Sequence, residues 1–347
     1  MHKSPHRLLL ALIAPVLLVL AACGGDDSGD GSSSSDAPGT TVGDQVGGYP
    51  LTVEHAHGAT TIEAAPQRIV TLGYNDQDFL LAFDVTPIAV TDWYGDYEYA
   101  TWPWAQDRLG DATPEVLNQG SFTGEANFNY EAITALDPDL ILGLYIDVDA
   151  TAYDLLTAIA PTVVRTAEYP DFGMPWQATT RLVGEVLAQP DRAEQLIADV
   201  DQLFTDAAAA HPEFAGQTAA VAEQFEGGSS FVRSANDQRT KILTSLGFVF
   251  PDDLAELTGD LDGAEVSDEQ MTLLDRDFLV WNVGHEPALR AEIEAKPLYS
   301  QLEVVKAGHS IFIEDPLVAG ALTWGTVLSI PYALEALVPQ FAAALAS

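Results

Sequence analysis

Short apolar runs that alternate with helix-spaced segments narrow the possible folds more than any other feature of this chain. Ile69-Val70-Thr71-Leu72, Leu140-Ile141-Leu142 and Thr162-Val163-Val164 are too short for buried helices and are bounded by turn formers. Between them, residues 75–83, 129–136 and 152–159 carry helical spacing. Strands this short and apolar are buried on both faces, so the pattern predicts a parallel sheet covered by helices. Residues 51–62 read as a hairpin with His55, His57 and Gly58 near its turn, and 87–91 as a further strand.

A second series follows. Residues 176–187 are amphipathic, and Pro190-Asp191 opens a helix reaching about residue 209, roughly 28 Å long. Asp191 and Glu194 have capping-box spacing, and Leu196, Ile197, Val200, Leu203 and Phe204 form the apolar face. Such a helix suits a strut between two lobes, and His211-Pro212 stops it. Strands at 219–225, 278–281 and 310–313 then alternate with helices at 239–246, 268–274 and 287–295, and a last helix starts near 326. The predicted class is α/β: two α/β lobes bridged by a single long helix, with a ligand cleft between them. The expected boundaries are 49–175 for the first lobe, 176–210 for the linking helical region and 211–347 for the second lobe. A chain of 347 residues with 47% hydrophobic residues can bury two such cores.

The N-terminus reads differently. Lys3 and Arg7 precede an apolar run over 8–22 that Pro15 breaks and that is too short to span a membrane comfortably. Residues 1–22 therefore read as an export signal. The run ends in Leu20-Ala21-Ala22-Cys23, and Cys23 is the one cysteine of the chain, so no internal disulfide can form. Small residues before this cysteine resemble the lipobox of bacterial lipoproteins, which implies lipidation at Cys23. Residues 23–48 are rich in Gly, Ser, Asp and Thr and read as a flexible tether reaching about 25–30 Å. The expected location is the extracytoplasmic face of a cell membrane, through a lipid anchor. With 14 Lys and Arg against 52 Asp and Glu, the net charge is −38, and losing Lys3 and Arg7 with the signal takes it to −40. Nucleic acid is excluded as a partner, because few cations are available to replace phosphate counterions. The same excess serves solubility or a salty habitat equally well.

Five segments in order, after the lipobox and tether, resemble the iron–siderophore and vitamin B12 family of periplasmic-binding proteins over nearly all of 50–347. PQRIVTLGYNDQDFLLAFDVTPIAV resembles its opening strand–helix–strand, and NYEAITALDPDLIL its first-lobe signature. EVSDEQMTLLDRDFLV resembles the matching second-lobe segment, while LYSQLEVVKAGHSIFI and LSIPYALEALVPQF resemble the closing strand and helix. The resemblance implies a monomeric, non-enzymatic carrier without a cofactor, whose lobes close only slightly. Its cargo would be a ferric siderophore, with vitamin B12 or haem as alternatives on the same scaffold, and its partner the permease subunits of an ABC importer. It further implies that Glu131 and Glu269, each in a first helical turn, meet arginines of the two permease subunits. Carboxylates are favoured in first turns in any case. An α/β surface enzyme is a different-class reading, but GxGxxG, Walker and GxSxG motifs are absent. A carrier of bare metal ions needs three or four converging ligands, and His55 and His57 supply at most a weak pair.

Cargo in such a fold sits on loops at the carboxyl ends of strands. The loop after 87–91 is dense in aromatics: Trp93, Tyr94, Tyr97, Tyr99, Trp102 and Trp104. Tyr74 and Tyr145 follow first-lobe strands, Phe225 and Trp281 end second-lobe strands, and Trp324 precedes the last helix. Aromatic faces suit a bulky chelate, although some of these rings are expected to serve as core or loop anchors instead. Arg233 and Arg239 lie beyond the strand ending at Phe225, and either one is placed to reach iron-bound oxygens. Arg239 opens a helix, where the dipole disfavours a cation. A surface ion pair is the alternative for both. The few cations and many aromatics favour a neutral or weakly cationic ferric hydroxamate as cargo.

Overall fold

The structure, a computed structural model, describes residues 48–118, 128–225 and 228–346. The signal, Cys23 and the tether up to residue 47 lie outside the described residues. In chain order the strands are β1 (Leu51–His55), β2 (Gly58–Ile62), β3 (Ile69–Thr71), β4 (Ala89–Val90), β5 (Glu115–Val116), β6 (Leu140–Gly143), β7 (Thr162–Val164), β8 (Ala219–Gln224), β9 (Ser230–Arg233), β10 (Gly263–Val266), β11 (Phe278–Asn282) and β12 (Ser310–Ile313). The helices are α1 (Asp76–Ala82), α2 (Pro103–Leu109), α3 (Tyr130–Ala135), α4 (Ala150–Thr157), α5 (Trp176–Val186), α6 (Pro190–Ala210), α7 (Gln238–Ser245), α8 (Asp252–Thr258), α9 (Leu289–Glu294), α10 (Glu303–Lys306), α11 (Pro316–Trp324) and α12 (Ser329–Leu345).

Two five-stranded sheets define the two lobes. The first runs β5-β4-β3-β6-β7 with every pair parallel. Its strand order reverses between β3 and β6, which opens a crevice at their carboxyl ends. The β1–β2 hairpin covers the β7 side: Ala56 N–H donates to Arg165 O, and the Thr60 hydroxyl to Thr162 O at 2.6 Å. Capping a sheet edge in this way removes an aggregation-prone row of unpaired backbone groups.

The second sheet runs β10-β9-β8-β11-β12 and, unlike the first, is mixed. β11 is parallel to β8 and β12, but β9 runs antiparallel to both β8 and β10. A hairpin turn after β8 needs no crossover helix, so no helix-spaced segment announces β9. Strand order reverses between β8 and β11, giving a second crevice matching the first.

Helices α5 and α6 link the lobes. At 21 residues, α6 is about 31 Å long. Ala193, Leu196, Ile197, Val200 and Phe204 face inward, whereas Leu203 is exposed, against expectation. The expected capping box is also absent: Pro190 occupies the first helical position and Gln189 the cap. Glu194 instead forms a two-pronged pair with Arg181 of α5, at 2.7 and 3.1 Å. One apolar cluster runs from Ile69 and Leu140 through Val183, Ile197 and Leu337 to Phe278 and Val280. Both sheets therefore share a core along the linking side. Among the described residues, no helix is long and apolar enough to cross a membrane.

Candidate functional site: a cleft between two strand-order reversals

The first-lobe wall is organised by a buried carboxylate. β3 ends at Thr71, and Gly73-Tyr74-Asn75 turns the chain into α1. Asp76 Oδ2 accepts from the N–H groups of Gly73 (3.0 Å) and Leu144 (2.9 Å), and Oδ1 from that of Tyr145 (3.0 Å). One side chain thus ties together the loops after β3 and β6. A Cβ on residue 73 would lie 2.2 Å from the Asp76 carboxylate, so only glycine fits. Burial pushes Asp76 up to about 6, with the three backbone donors pulling the other way.

This brace presents Tyr74 and Tyr145 at the crevice. Tyr74 stacks on Trp93 (5.5 Å between centroids) and on Phe172 (6.4 Å), while Tyr145 meets Phe172 edge-on at 5.2 Å. Trp93 and Tyr94 are perpendicular at 5.1 Å. Trp324, at the end of α11 in the second lobe, enters this group: it lies 4.9 Å from Trp93, 5.5 Å from Tyr94 and 6.4 Å from Tyr145. Its indole Nε1 is buried and has no hydrogen-bond partner among the described residues. Such rings are worth about 0.5–1.5 kcal/mol per pair beyond their burial.

Trp102 and Trp104 form the base. They stack at 4.8 Å, and Trp102 lies 3% exposed against α11, where any Cβ at Gly320 would meet its ring at 2.2 Å. Trp104 Nε1 donates to Asp78 Oδ2 at 2.8 Å. The same oxygen accepts from the Thr326 hydroxyl at 2.7 Å, which links the lobes. Asn75 Nδ2 to Trp324 O (3.2 Å) and Gln238 Nε2 to Met174 O (2.9 Å) are further links between them. Trp102 and Trp104 are therefore lobe-joining anchors rather than open cleft faces. Tyr97 lies behind them, 4.5 Å from Trp102.

The second-lobe wall is charged. Glu223, near the end of β8, accepts on Oε2 from Arg233 Nε (2.7 Å) and Nη2, and on Oε1 from Arg239 Nη1 (2.7 Å) and Asn282 Nδ2 (3.1 Å). Asp237 caps α7 by accepting from Arg239 N–H (2.9 Å), and its two oxygens take Arg239 Nε and Nη2 at 2.8 and 2.7 Å. This explains a cation at a helix start: the capping carboxylate holds it. Burial raises the Asp237 carboxyl, but Arg239 and then Arg233 outweigh it and leave it below the ordinary range. Burial likewise opposes the Arg239 charge, and Asp237 and Glu223 overcome it. Arg233 also lies over the rings of Phe231 (5.0 Å) and Phe225 (5.8 Å). Lys241 is half-buried nearby, and burial lowers its ammonium against the pull of Asp237.

The two walls sense each other. Burial pushes the Tyr145 phenol up to about 12, and Arg239 in the opposite lobe opposes that rise. Tyr94 is raised further by burial, against a hydrogen bond to Thr323 and the Arg239 charge.

Of the residues expected at the cleft, Tyr74, Trp93, Tyr94, Tyr145, Trp324, Arg233 and Arg239 gather on these two walls, with Phe225 45% exposed at the edge of the second. Trp281 is a correction. It is 0% exposed in the second-lobe core beside Tyr299 and Phe312, because alternate residues of β11 face opposite sides of the sheet. The next residue, Asn282, is the one that reaches Glu223. Sequence reasoning missed Phe172, which is 41% exposed with φ at 60°, a left-handed conformation costly for a bulky residue. It also missed Glu223, one acid among many.

The histidines of the hairpin are committed locally. His55 Nε2 contacts the Thr60 hydroxyl (2.9 Å), His57 Nε2 contacts Val148 O (2.6 Å), and both rings pack on Tyr153. No group of three or more His, Cys, Asp or Glu is placed to hold a metal ion among the described residues. Glu131 and Glu269 are both exposed and stand in first turns, on α3 and on the 3₁₀ turn Asp268–Leu274.

Comparison with known proteins gives a consistent picture. The family model described as Periplasmic binding protein matches residues 69–317. The probable siderophore-binding lipoprotein YfiY of Bacillus subtilis (strain 168) is 29% identical over 322 residues, covering 89% of this chain and 91% of its own. The ferric-anguibactin-binding protein FatB of Vibrio anguillarum is 26% identical, covering 98% of this chain and 99% of its own. The crystal structure of a periplasmic solute binding protein from Mycobacterium smegmatis superposes with a TM-score of 0.74 at 33% identity, covering 85% of this chain and 98% of that one. With two lobes, linking helices and a cleft at paired strand-order reversals, this chain belongs to the periplasmic binding protein family, whose members are solute-binding transport proteins and not enzymes.

Proposed function

We propose that the protein captures a ferric siderophore outside the cell membrane and delivers it to an ABC importer, and that a hydroxamate chelate is its preferred cargo. The observation that carries the cargo class is the pairing of walls: an aromatic group from Tyr74 to Trp324 faces arginines whose charges are matched by Glu223 and Asp237. A chelate with polarisable ligand faces and iron-bound oxygens needs rings to stack on and local donors. Trp324 Nε1, buried without a partner among the described residues, supplies one such donor. Two relatives named for siderophore and ferric-anguibactin binding support the general reading. The charge balance supports the finer one, because a triply anionic catecholate would find no excess of cations in this cluster and forty excess acids around it.

Tryptophan quenching tests this directly. Ferrioxamine B and ferric enterobactin are titrated side by side at low salt and at about 0.15 M, where charges beyond about 8 Å are screened. The hydroxamate should bind more tightly, and added salt should not rescue the catecholate. Tighter catecholate binding at both salts would exclude the hydroxamate preference.

Anchoring is part of the same proposal: Cys23 carries lipid and residues 23–48 act as the tether. Cys23→Ala should release the protein from the membrane fraction or leave its signal uncleaved. Unchanged fractionation and migration would remove the anchor. Glu131 and Glu269 are the proposed contacts with the two permease subunits.

A further inference from the structure

Glu223 is an acid that follows an apolar stretch of the second-lobe sheet. β8 reads Ala-Ala-Val-Ala before it, and Glu223 itself is 3% exposed. A carboxylate there has no packing role, and buried ion pairs seldom stabilise a fold better than apolar residues of similar volume. Its position is specific: it is the penultimate residue of one of the two strands that bracket the second-lobe crevice, and Asn282, which donates to it, ends the other.

The two arginines depend on it unequally. Arg239 is held by both oxygens of Asp237 whether or not Glu223 is present. Arg233 gives Nε and Nη2 to Glu223, and its other ion-pair contact is a 3.4 Å approach to Asp262, whose side chain is 72% exposed. Two buried guanidinium groups thus face two buried carboxylates, and Glu223 is the main neutraliser of Arg233. The cluster reaches the cleft through Asn282, whose Nδ2 donates both to Glu223 and, at 3.0 Å, to the hydroxyl of Thr323, the residue before Trp324 on α11.

We infer that Glu223 is a specificity-determining residue that sets the charge of the cargo, holding Arg233 neutralised so that near-neutral ferric chelates are accepted and anionic ones are not. This rests on the siderophore reading above. Removing the charge while keeping the shape should leave one uncompensated guanidinium at the crevice and turn the cleft towards anionic carboxylate chelates. At a few ångströms, one unit charge in a partly shielded site changes the affinity for a charged ligand by about tenfold to a hundredfold.

The test uses Glu223→Gln in the full chain, with ferrioxamine B and ferric dicitrate as probes, read by tryptophan quenching at low and high salt. A melting curve checks folding. The ratio of dicitrate to ferrioxamine affinity should rise by about tenfold or more, and the rise should shrink at high salt. A general loosening of the fold would lower both affinities together and leave the ratio alone. Asp237→Asn removes a charge from the same cluster at Arg239, and should move the ratio the same way by a smaller factor. If Glu223→Gln folds and the ratio is unchanged, the proposal is overturned. If it does not fold, an unchanged ratio in Asp237→Asn overturns it. Wild-type protein that responds to neither chelate would sink the siderophore reading itself, whereas wild-type binding with an immovable ratio sinks only the role of Glu223.

Discussion

Alanine at both Glu131 and Glu269 should cut iron uptake through the cognate importer by about tenfold or more, while cargo affinity stays within about twofold. The two carboxylates are placed alike in the two lobes. Glu131 follows the Asn129 cap of α3, whose side chain accepts from Ala132 N–H at 3.0 Å. Glu269 follows Ser267, which closes a capping box with Gln270. Each is therefore held on a fixed helical start while its own carboxylate stays exposed. The contrast with Asp268 is informative. Lys296 Nζ donates to Asp268 at 2.6 Å and anchors the turn, whereas no ion pair ties down Glu269 or Glu131 among the described residues. A surface charge left unpaired on a rigid support is suited to an arginine of a partner, where a two-pronged pair gives geometry as well as attraction. On the docking role proposed above, losing one such partner would leave the facing guanidinium unpaired in the interface, which is why the expected effect is large. Each single variant should lose part of the activity. Uptake of labelled ferric siderophore and quenching titrations on the same variants separate the two functions. An equal loss of cargo affinity would move these residues from the docking surface into the cleft.

The lobe architecture was legible because strands such as Ile69–Thr71 and Leu140–Gly143 are buried on both faces and so read as unbroken apolar runs. β9 and β10 were not, because Ser230–Arg233 and Gly263–Val266 mix polar, charged and apolar residues at a sheet margin. The aromatic wall was visible as composition in one loop, yet composition cannot divide cleft faces from anchors. Trp102 became an anchor because Gly320 lets it lie flat on α11, a partner more than two hundred residues away in sequence. Trp281 failed for a more local reason: the end of a strand marks the cleft, but the parity of the residue decides which face it uses. Arg239 was noticed because a cation at a helix start is unusual. Its explanation needed Asp237, two positions earlier, and Glu223, on a separate strand. Glu223 carried no sequence signal, since its meaning lies wholly in what it meets in three dimensions.

The same limitation applies to Asp78, whose pH behaviour gives the second large effect. It is buried on α1, and one oxygen accepts from both Trp104 and Thr326. Burial pushes its carboxyl up to about 6, with those two donors pulling down. A carboxyl raised in the folded state is protonated there while the unfolded chain, near 3.8, is already losing its proton. Its contribution to stability is therefore complete below about pH 4, is lost as pH rises towards about 6, and stays lost at neutral pH. A rise of this size corresponds to on the order of 3 kcal/mol. Asp78→Asn keeps an oxygen for Trp104 and Thr326 and never ionises. It should melt near the parent at pH 4 and roughly 5 °C above it at pH 7, with the difference growing between those limits. Comparing variant with parent at each pH cancels opposing groups such as Asp237, whose depressed carboxyl favours folding above its unfolded value and loses that contribution on acidification. Asp76→Asn is the necessary contrast. Asp76 uses both oxygens for three backbone donors, so an amide would set its own N–H₂ against one of them. That variant should melt below the parent at pH 4 by an amount typical of an unsatisfied buried donor, about 1–3 kcal/mol. At pH 7 the same cost offsets the relief from an ionised Asp76, which burial also raises to about 6, so its gain over the parent should be smaller than that of Asp78→Asn. A melting difference for Asp78→Asn that does not change between pH 4 and 7 would show that the carboxylate is ionised throughout, and that the link from Thr326 to α1 is held as a charged hydrogen bond.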